Sequence, residues 1–390
     1  MYDYQAPLRD MQFILSTIAG LDEIAALPHC EEASSDLVSA VLEEAGKFAA
    51  GVLAPLNQVG DLQGCRLEDG VVHTPDGWQQ AYEQFCDAGW VGLALPQEYG
   101  GQGLPKLVST PVWEMWFSTN MAFAMLPQLN VGQAEALQIA ASEEQKQIWL
   151  HKVVSGEWGS TMNLTEPQAG SDLAATRTKA VPQADGTYKL FGQKIFISYG
   201  EHELTPNIVH LVLARLPDAP AGVKGLSLFI VPKYLLDTEG NPSTRNDVRC
   251  ISIEHKMGIH GSPTCTLSFG DEGGAIGYLV GQANRGLETM FIMMNEARFG
   301  VGVQGVGLAE RAYQYALNYA RTRVQGRDAL TGATRQLIIC HPDVQRAILS
   351  MRARVMAMRS LLYTAAGWFD LAHHHPEPAV ADKYRRYVDL

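Results

Sequence analysis

The spacing of apolar residues changes twice along this chain, near Gly156 and again near Gly286, and those two changes constrain the fold more than any other feature. From Ser35 to Asp61, Leu37, Val41, Leu42, Ala45, Phe48, Ala49, Val52 and Leu53 recur every third or fourth residue, one face of a helix that Ser34 or Ser35 can cap. Further helices are predicted near 77–88, 108–125 and 131–140, and Ser142-Glu143-Glu144-Gln145 opens another with acids suited to its N-terminal dipole. The first part of the chain, to about residue 155, is therefore expected to be all helical. From Gly156 to about Gly281 the pattern is of short β-rich runs, among them Lys189–Ser198, Ile208–Arg215, Leu226–Pro232, Val248–His255 and Thr264–Phe269. No helical period separates them, which points to an antiparallel β domain and not to a parallel βαβ sheet. After Gly286 the helical period returns, from Leu287 to about Arg323 and from about Pro342 to Asp370.

A chain of 390 residues with 46% apolar composition is too long for one simple core. The expected division is an N-terminal extension over 1–34, a helical domain over 35–156, a β domain over 157–282 and an incomplete helical domain over 283–390. A net charge of −12 opposes a nucleic-acid surface, which needs concentrated positive charge. No apolar run is long enough to span a bilayer, and MYDYQAPLRD is no secretory signal, so a cytoplasmic location is expected. The cysteines, Cys30, Cys65, Cys86, Cys250, Cys265 and Cys340, form no C-x-x-C pair, and no metal site is expected. His373-His374-His375 runs into Pro376 and is read as a solvated loop. The glycines Gly300, Gly302, Gly305 and Gly307 are read as points of close helix approach.

Chemistry concentrates at Met162-Asn163-Leu164-Thr165-Glu166-Pro167-Gln168-Ala169-Gly170-Ser171-Asp172. Pro167 fixes φ and Gly170 permits values that other residues avoid, so the chain should turn sharply here. A turn of that kind leaves backbone N–H groups and the Thr165 and Ser171 hydroxyls facing outward, a cradle for a flavin edge or a phosphate. An ordinary strand exit with a Ser/Asp cap has the same composition. No G-x-G-x-x-G follows a strand, so a dinucleotide would have to bind without that fingerprint.

The string from Thr165 to Asp172 resembles the TEPxAGSD signature of the acyl-CoA dehydrogenases and matches it at every fixed position. Gly192-Gln193-Lys194-Ile195-Phe196-Ile197-Ser198 resembles that family's second signature, GQKxWIT, and Pro96 to Gly103 resembles its PE-(Y/F)-G-G-x-G segment more loosely. The resemblance implies an α+β fold, with an N-terminal helical domain, a middle antiparallel β domain and a C-terminal helical bundle. It also implies FAD and α,β-dehydrogenation of an acyl-CoA to the trans-2-enoyl-CoA, with hydride passing to flavin N5. An electron-transfer flavoprotein as acceptor and a homodimer or homotetramer are implied with it. Tyr4 to Met11 resembles the N-terminal extension of a larger bacterial branch, which includes broad fatty acyl-CoA and 3-methylmercaptopropionyl-CoA dehydrogenases.

By the same resemblance, Met162, Leu164 and Thr165 fall at contacts to the flavin's pyrimidine and N5 edge. Gly170 gives backbone room, and Ser171 falls where the family contacts a flavin phosphate or the pantetheine of the substrate. Phe196 replaces the Trp that covers the flavin, followed by Ile197 and by Ser198, which stands in for a Thr hydroxyl near the ring. Arg298 aligns with an Arg facing the CoA side of the cleft, and Arg323 with one that reaches the FAD pyrophosphate of a neighbouring subunit. Some branches carry the catalytic Glu just before the helix Arg, where this chain has Ala297; Glu296, about 100° around the helix, is the nearest acid. The base is otherwise expected beyond Leu390, in a segment these residues do not include, so the chain reads as C-terminally incomplete. A flavin oxidase or a non-catalytic member of the same fold are the alternatives.

Overall fold

A computed structural model describes residues 4–327 and 331–388. Its helices are α1 (Leu8–Thr17), α2 (Leu21–Ala25), α3 (Ser35–Phe48), α4 (Ala54–Gln63), α5 (Trp78–Asp87), α6 (Lys106–Ala140), α7 (Glu143–Gln145), α8 (His151–Val154), α9 (Gly286–Thr322), α10 (Pro342–His374) and α11 (Pro378–Val388). Ser34 caps α3 by accepting from the Leu37 N–H, and Ser142 with Gln145 forms a reciprocal capping box on α7, as the sequence predicts.

Three expectations need correction. Residues 4–155 are not all helical, because β1 (Arg66–Glu68) and β2 (Val71–His73) form a hairpin. Its turn is Asp69-Gly70, both at positive φ, the dipeptide that a tight hairpin favours. The break expected between the helices over 108–125 and 131–140 lies earlier, at Asn120 (φ −151°, ψ 84°), where α6 kinks between two helical stretches. His373 and His374 are not in a loop but in the last turn of α10, where the His373 ring lies 2.8 Å from the Phe369 carbonyl oxygen. The helix continues until Pro376 makes its neighbour unfit for helical backbone.

The strands that follow are β3 (Gly159–Asn163), β4 (Lys179–Pro182), β5 (Tyr188–Ser198), β6 (Ile208–Arg215), β7 (Leu226–Pro232), β8 (Tyr234–Leu236), β9 (Pro242–Arg245), β10 (Val248–Ile253), β11 (Thr264–Phe269) and β12 (Ala275–Val280). The main sheet runs β10-β11-β5-β12-β7-β6-β3, with β4 against β5 and β6. Its pairings are antiparallel apart from β3 and β4, which each meet β6 in parallel. The run from Leu226 to Pro232 is buried at every position, as a strand enclosed on both faces must be.

Two compact units divide the chain, one made of 1–55, 104–121 and 300–390, the other of 56–103 and 122–299. Within the first, helical unit a Cβ on Gly307 would lie 3.0 Å from the Ser118 nitrogen, and one on Gly302 would lie 3.1 Å from Leu362. Close approach therefore explains those two glycines, whereas Gly305 has open space beside it. The same unit buries Arg359 against Glu114 and Glu310. Its guanidinium donates to both Glu114 oxygens (Nε, 3.0 Å each) and to Glu310 Oε2 (Nη2, 2.8 Å), while the Tyr363 hydroxyl donates to Glu114 Oε2 at 2.8 Å.

Candidate functional site

The β unit carries both signature strings. Strand β3 ends at Asn163, and the chain then closes a tight turn in which Glu166 and Ala169 exchange backbone hydrogen bonds of 2.9 and 3.0 Å, with Pro167 and Gln168 at its tip. The turn is complete before Gly170, whose φ is not positive and whose missing Cβ would meet nothing. The expectation that Gly170 supplies unusual backbone geometry is therefore wrong; what it offers is open space. Asp172 accepts from the Ala174 N–H at 3.0 Å and caps the short turn beyond, so the plain capping reading holds for that residue.

Strand β5 is interrupted where the second signature lies. Cys265 of β11 pairs with Ile197 and Leu267 pairs with Lys194, so Ile195 and Phe196 together face one residue of β11. This is a β-bulge, and it puts Phe196 at φ +62°, a conformation costly for an aromatic residue. The bulge turns the ring outward: Phe196 is 58% exposed although its neighbours Lys194 and Ile197 are buried. An apolar ring presented to solvent on strained backbone inside a buried sheet is the strongest geometric mark of a ligand face in this unit.

The two strings are tied together from below. The Ile195 N–H donates to the Thr165 carbonyl at 2.9 Å, and the buried Lys194 ammonium donates to the Leu164 carbonyl and to Glu166 Oε1, each at 2.9 Å. Glu166 is filled by further donors: the Thr178 hydroxyl (2.6 Å), the Thr178 N–H (3.1 Å), the Arg177 N–H (2.7 Å) and the Gln168 amide (2.5 Å). Burial works against the Glu166 carboxylate, but Lys194, the Thr178 hydroxyl and the Arg177 amide outweigh it and hold its carboxyl below the usual range. Burial pushes the Lys194 ammonium down to about 8, against the opposing pull of Glu166.

Above this clamp the polar groups are open. The Thr165 N–H and hydroxyl and the Ser171 and Ser198 hydroxyls have no hydrogen-bond partner among the described residues. Thr165 and Ser198 are half-buried and Ser171 is exposed. Donors without partners beside a flat exposed ring suit the polar edge and apolar face of a flavin, so the residues present fit FAD. Met162 is half-buried and Leu164 is buried. Ile197 is 2% exposed and packs into the core of the β unit, so only its backbone is available to a ligand.

Arg298 and Glu296 lie on α9 in the same unit; Arg298 is exposed, stacks over the Phe291 ring at 5.4 Å and donates to Asn295, and Glu296 is half-buried. Arg323 lies in the helical unit just past the end of α9, exposed, its carbonyl accepting from the Ile338 N–H at 2.9 Å. Sequence reasoning passed over Lys194, Glu166 and Thr178. Their only signal was that two of them sit inside the signature strings.

A helical–β–helical chain whose β portion presents such a face defines a class, the acyl-CoA dehydrogenase fold. Models of the N-terminal, middle and C-terminal domains of acyl-CoA dehydrogenase match residues 36–157, 161–271 and 284–385. The chain belongs to the acyl-CoA dehydrogenase family. It is 50% identical to a 3-methylmercaptopropionyl-CoA dehydrogenase of Ruegeria pomeroyi, over 97% of this chain and 64% of that protein. It is 39% identical to a broad-specificity linear acyl-CoA dehydrogenase of Mycobacterium tuberculosis, over 94% of this chain and 61% of that one. The chain thus spans less than two thirds of the length of these curated relatives. Among solved structures, an acyl-CoA dehydrogenase of Bacillus anthracis complexed with FAD superposes with a TM-score of 0.73 at 26% identity, covering 97% of this chain and 60% of that one. No helix among the described residues is long and apolar enough to cross a membrane.

Proposed function

We propose that this chain forms the flavin-holding part of an FAD-dependent acyl-CoA dehydrogenase, which converts an acyl-CoA thioester to the trans-2-enoyl-CoA. The observation that carries the reading is the face where Phe196, strained and exposed, meets the open donors of Thr165 and Ser198. FAD bound there supplies the hydride acceptor at N5. The Thr165 N–H and hydroxyl, with the backbone around Met162 and Leu164, hold the pyrimidine and N5 edge. Phe196 covers the ring and excludes water from one face, with the Ile197 backbone and Ser198 hydroxyl beside it. Ser171, next to the open space at Gly170, takes a phosphate or the pantetheine. Arg298 serves the CoA phosphates as a charge-assisted donor, and Arg323 serves the FAD pyrophosphate across a subunit contact in a homo-oligomer. An electron-transfer flavoprotein would be the electron acceptor.

The 50% identity to a 3-methylmercaptopropionyl-CoA dehydrogenase favours short, sulfur-substituted acyl groups within the substrate class. The test is the visible spectrum of the chain purified with FAD, recorded without oxygen before and after adding 3-methylmercaptopropionyl-CoA, butyryl-CoA and longer acyl-CoA thioesters. Uptake of flavin is the expected result, and bleaching by one thioester would name the substrate and put the base within these residues, where Glu296 is the candidate. Flavin that bleaches but reoxidises rapidly in air would move the assignment to an oxidase, and a chain that takes up no flavin would overturn it.

A further inference from the structure

We propose that Lys194 is a positioning residue that polarises the Leu164–Thr165 peptide and so strengthens the Thr165 N–H as a donor on the ligand face. The acceptor of that donor is FAD only on the reading given above. The geometry is direct. The Lys194 ammonium is fully buried and donates to the Leu164 carbonyl oxygen at 2.9 Å, and the Thr165 N–H belongs to the same peptide unit, pointing the opposite way across its plane. A cation on the carbonyl end of a resonant amide draws electron density from its nitrogen, and each hydrogen bond in such a chain strengthens the next. The donor so strengthened has no protein acceptor among the described residues.

Glu166 sets how much of that charge the peptide feels. Its Oε1 takes the same ammonium at 2.9 Å and the residue is 3% exposed, so the pair is nearly neutral from a distance while the contact at Leu164 remains. The two members of the pair must then act on the Thr165 donor in opposite senses. A clamp that merely held the turn rigid would lose the same thing whichever partner was removed, and that difference makes the idea testable.

The experiment measures the midpoint potential of FAD bound to the wild-type chain and to Lys194→Met and Glu166→Gln, together with the Thr165 amide proton shift by NMR in each, with and without FAD. Reduced flavin carries more negative charge at its pyrimidine edge, so a weaker donor disfavours the reduced form. The expected results are a lower potential and an upfield Thr165 amide in Lys194→Met, and a higher potential and a downfield amide in Glu166→Gln. A tenfold change in the relative binding of reduced and oxidised FAD appears as about 30 mV. Shifts of the same sign in both variants, or an unmoved amide, overturn the proposal. Should a variant not fold, the wild-type chain decides alone: as the pH is raised, the Leu164 carbonyl carbon must shift with the same midpoint as the Lys194 side-chain carbon, and a carbonyl that does not follow the lysine overturns the proposal. A chain that binds no FAD but shows the amide shifts would retain the polarised peptide and remove the cofactor reading instead.

Discussion

The helical unit and the β unit each bury an ionic cluster, and they satisfy it differently. In the helical unit Arg359 on α10 lies between Glu114 on α6 and Glu310 on α9, with side chains 1–5% exposed, so a single guanidinium serves two carboxylates that are far apart in sequence. Gln314 donates at 2.8 Å to Glu310 Oε1, the oxygen the arginine does not contact, and Tyr363 adds a second donor at 2.8 Å to Glu114 Oε2, which Arg359 also reaches. In the β unit Glu166 and Lys194 match one to one, and backbone N–H groups do much of the work. A cluster whose acceptors lean on a single cation fails when that cation goes. One distributed over backbone donors should degrade by steps.

The largest expected effect is therefore in the helices. Arg359→Met removes the cation of similar length and leaves Glu114 and Glu310 buried together, a loss of about 3–5 kcal/mol. Denaturant unfolding of the purified variant checks it. A loss below about 1 kcal/mol would mean that one carboxylate takes up a proton at little cost, and the contrast between the units would vanish.

Thr178→Val probes the β unit at constant volume. It deletes the hydroxyl that donates to Glu166 Oε1 at 2.6 Å, while the Thr178 and Arg177 N–H groups and Lys194 remain. The expected cost is about 2 kcal/mol, the scale of a hydrogen bond to a charged group, measured in the same unfolding experiment. A cost equal to that of Arg359→Met would break the comparison from the other side.

The two clusters also differ in how visible they were in the sequence. Glu166 and Lys194 sit inside strings recognisable by resemblance, although nothing in those strings says that the pair faces inward while Thr165 and Phe196 face out. Burial is set by β3, β5 and the bulge in β5 opposite β11, and a bulge changes the side-chain alternation by one residue in a way that period counting cannot anticipate. Arg359, Glu114 and Glu310 were silent, because each looks like an ordinary charged residue on a long helix and only helix packing brings them together. Local signals fared better: β6, β7 and β11 lie where the β-rich runs put them, and the Ser142 capping box forms as spelled. The hairpin at Asp69-Gly70 was legible too, and was lost under the helical pattern around it.

The smallest expected effect sharpens what burial contributes. His260 of the β unit has Nδ1 3.0 Å from the Asp61 carbonyl oxygen and Nε2 2.9 Å from the Lys256 carbonyl oxygen. Both partners can only accept, so both ring nitrogens carry hydrogen when both bonds are made, and only the imidazolium does that. The Asp61 carboxylate lies 3.2 Å from Nδ1 and the His255 ring stacks at 6.1 Å. The two carbonyl contacts, helped by Asp61, raise the His260 pKa above its ordinary value of 6.5. Because the folded state holds this proton more tightly than the unfolded one, the contribution is complete below the ordinary value and disappears as pH rises through the folded value. His260→Asn should thus destabilise the chain more at pH 5.5 than at pH 8.5 in paired thermal melts. The cation here is reached by solvent, unlike Arg359 or Lys194, and its effect should be smaller than either substitution above. A pH-independent loss would mean that one neutral tautomer holds the loop, and an effect as large as that of Arg359→Met would mean that burial is not what separates these clusters.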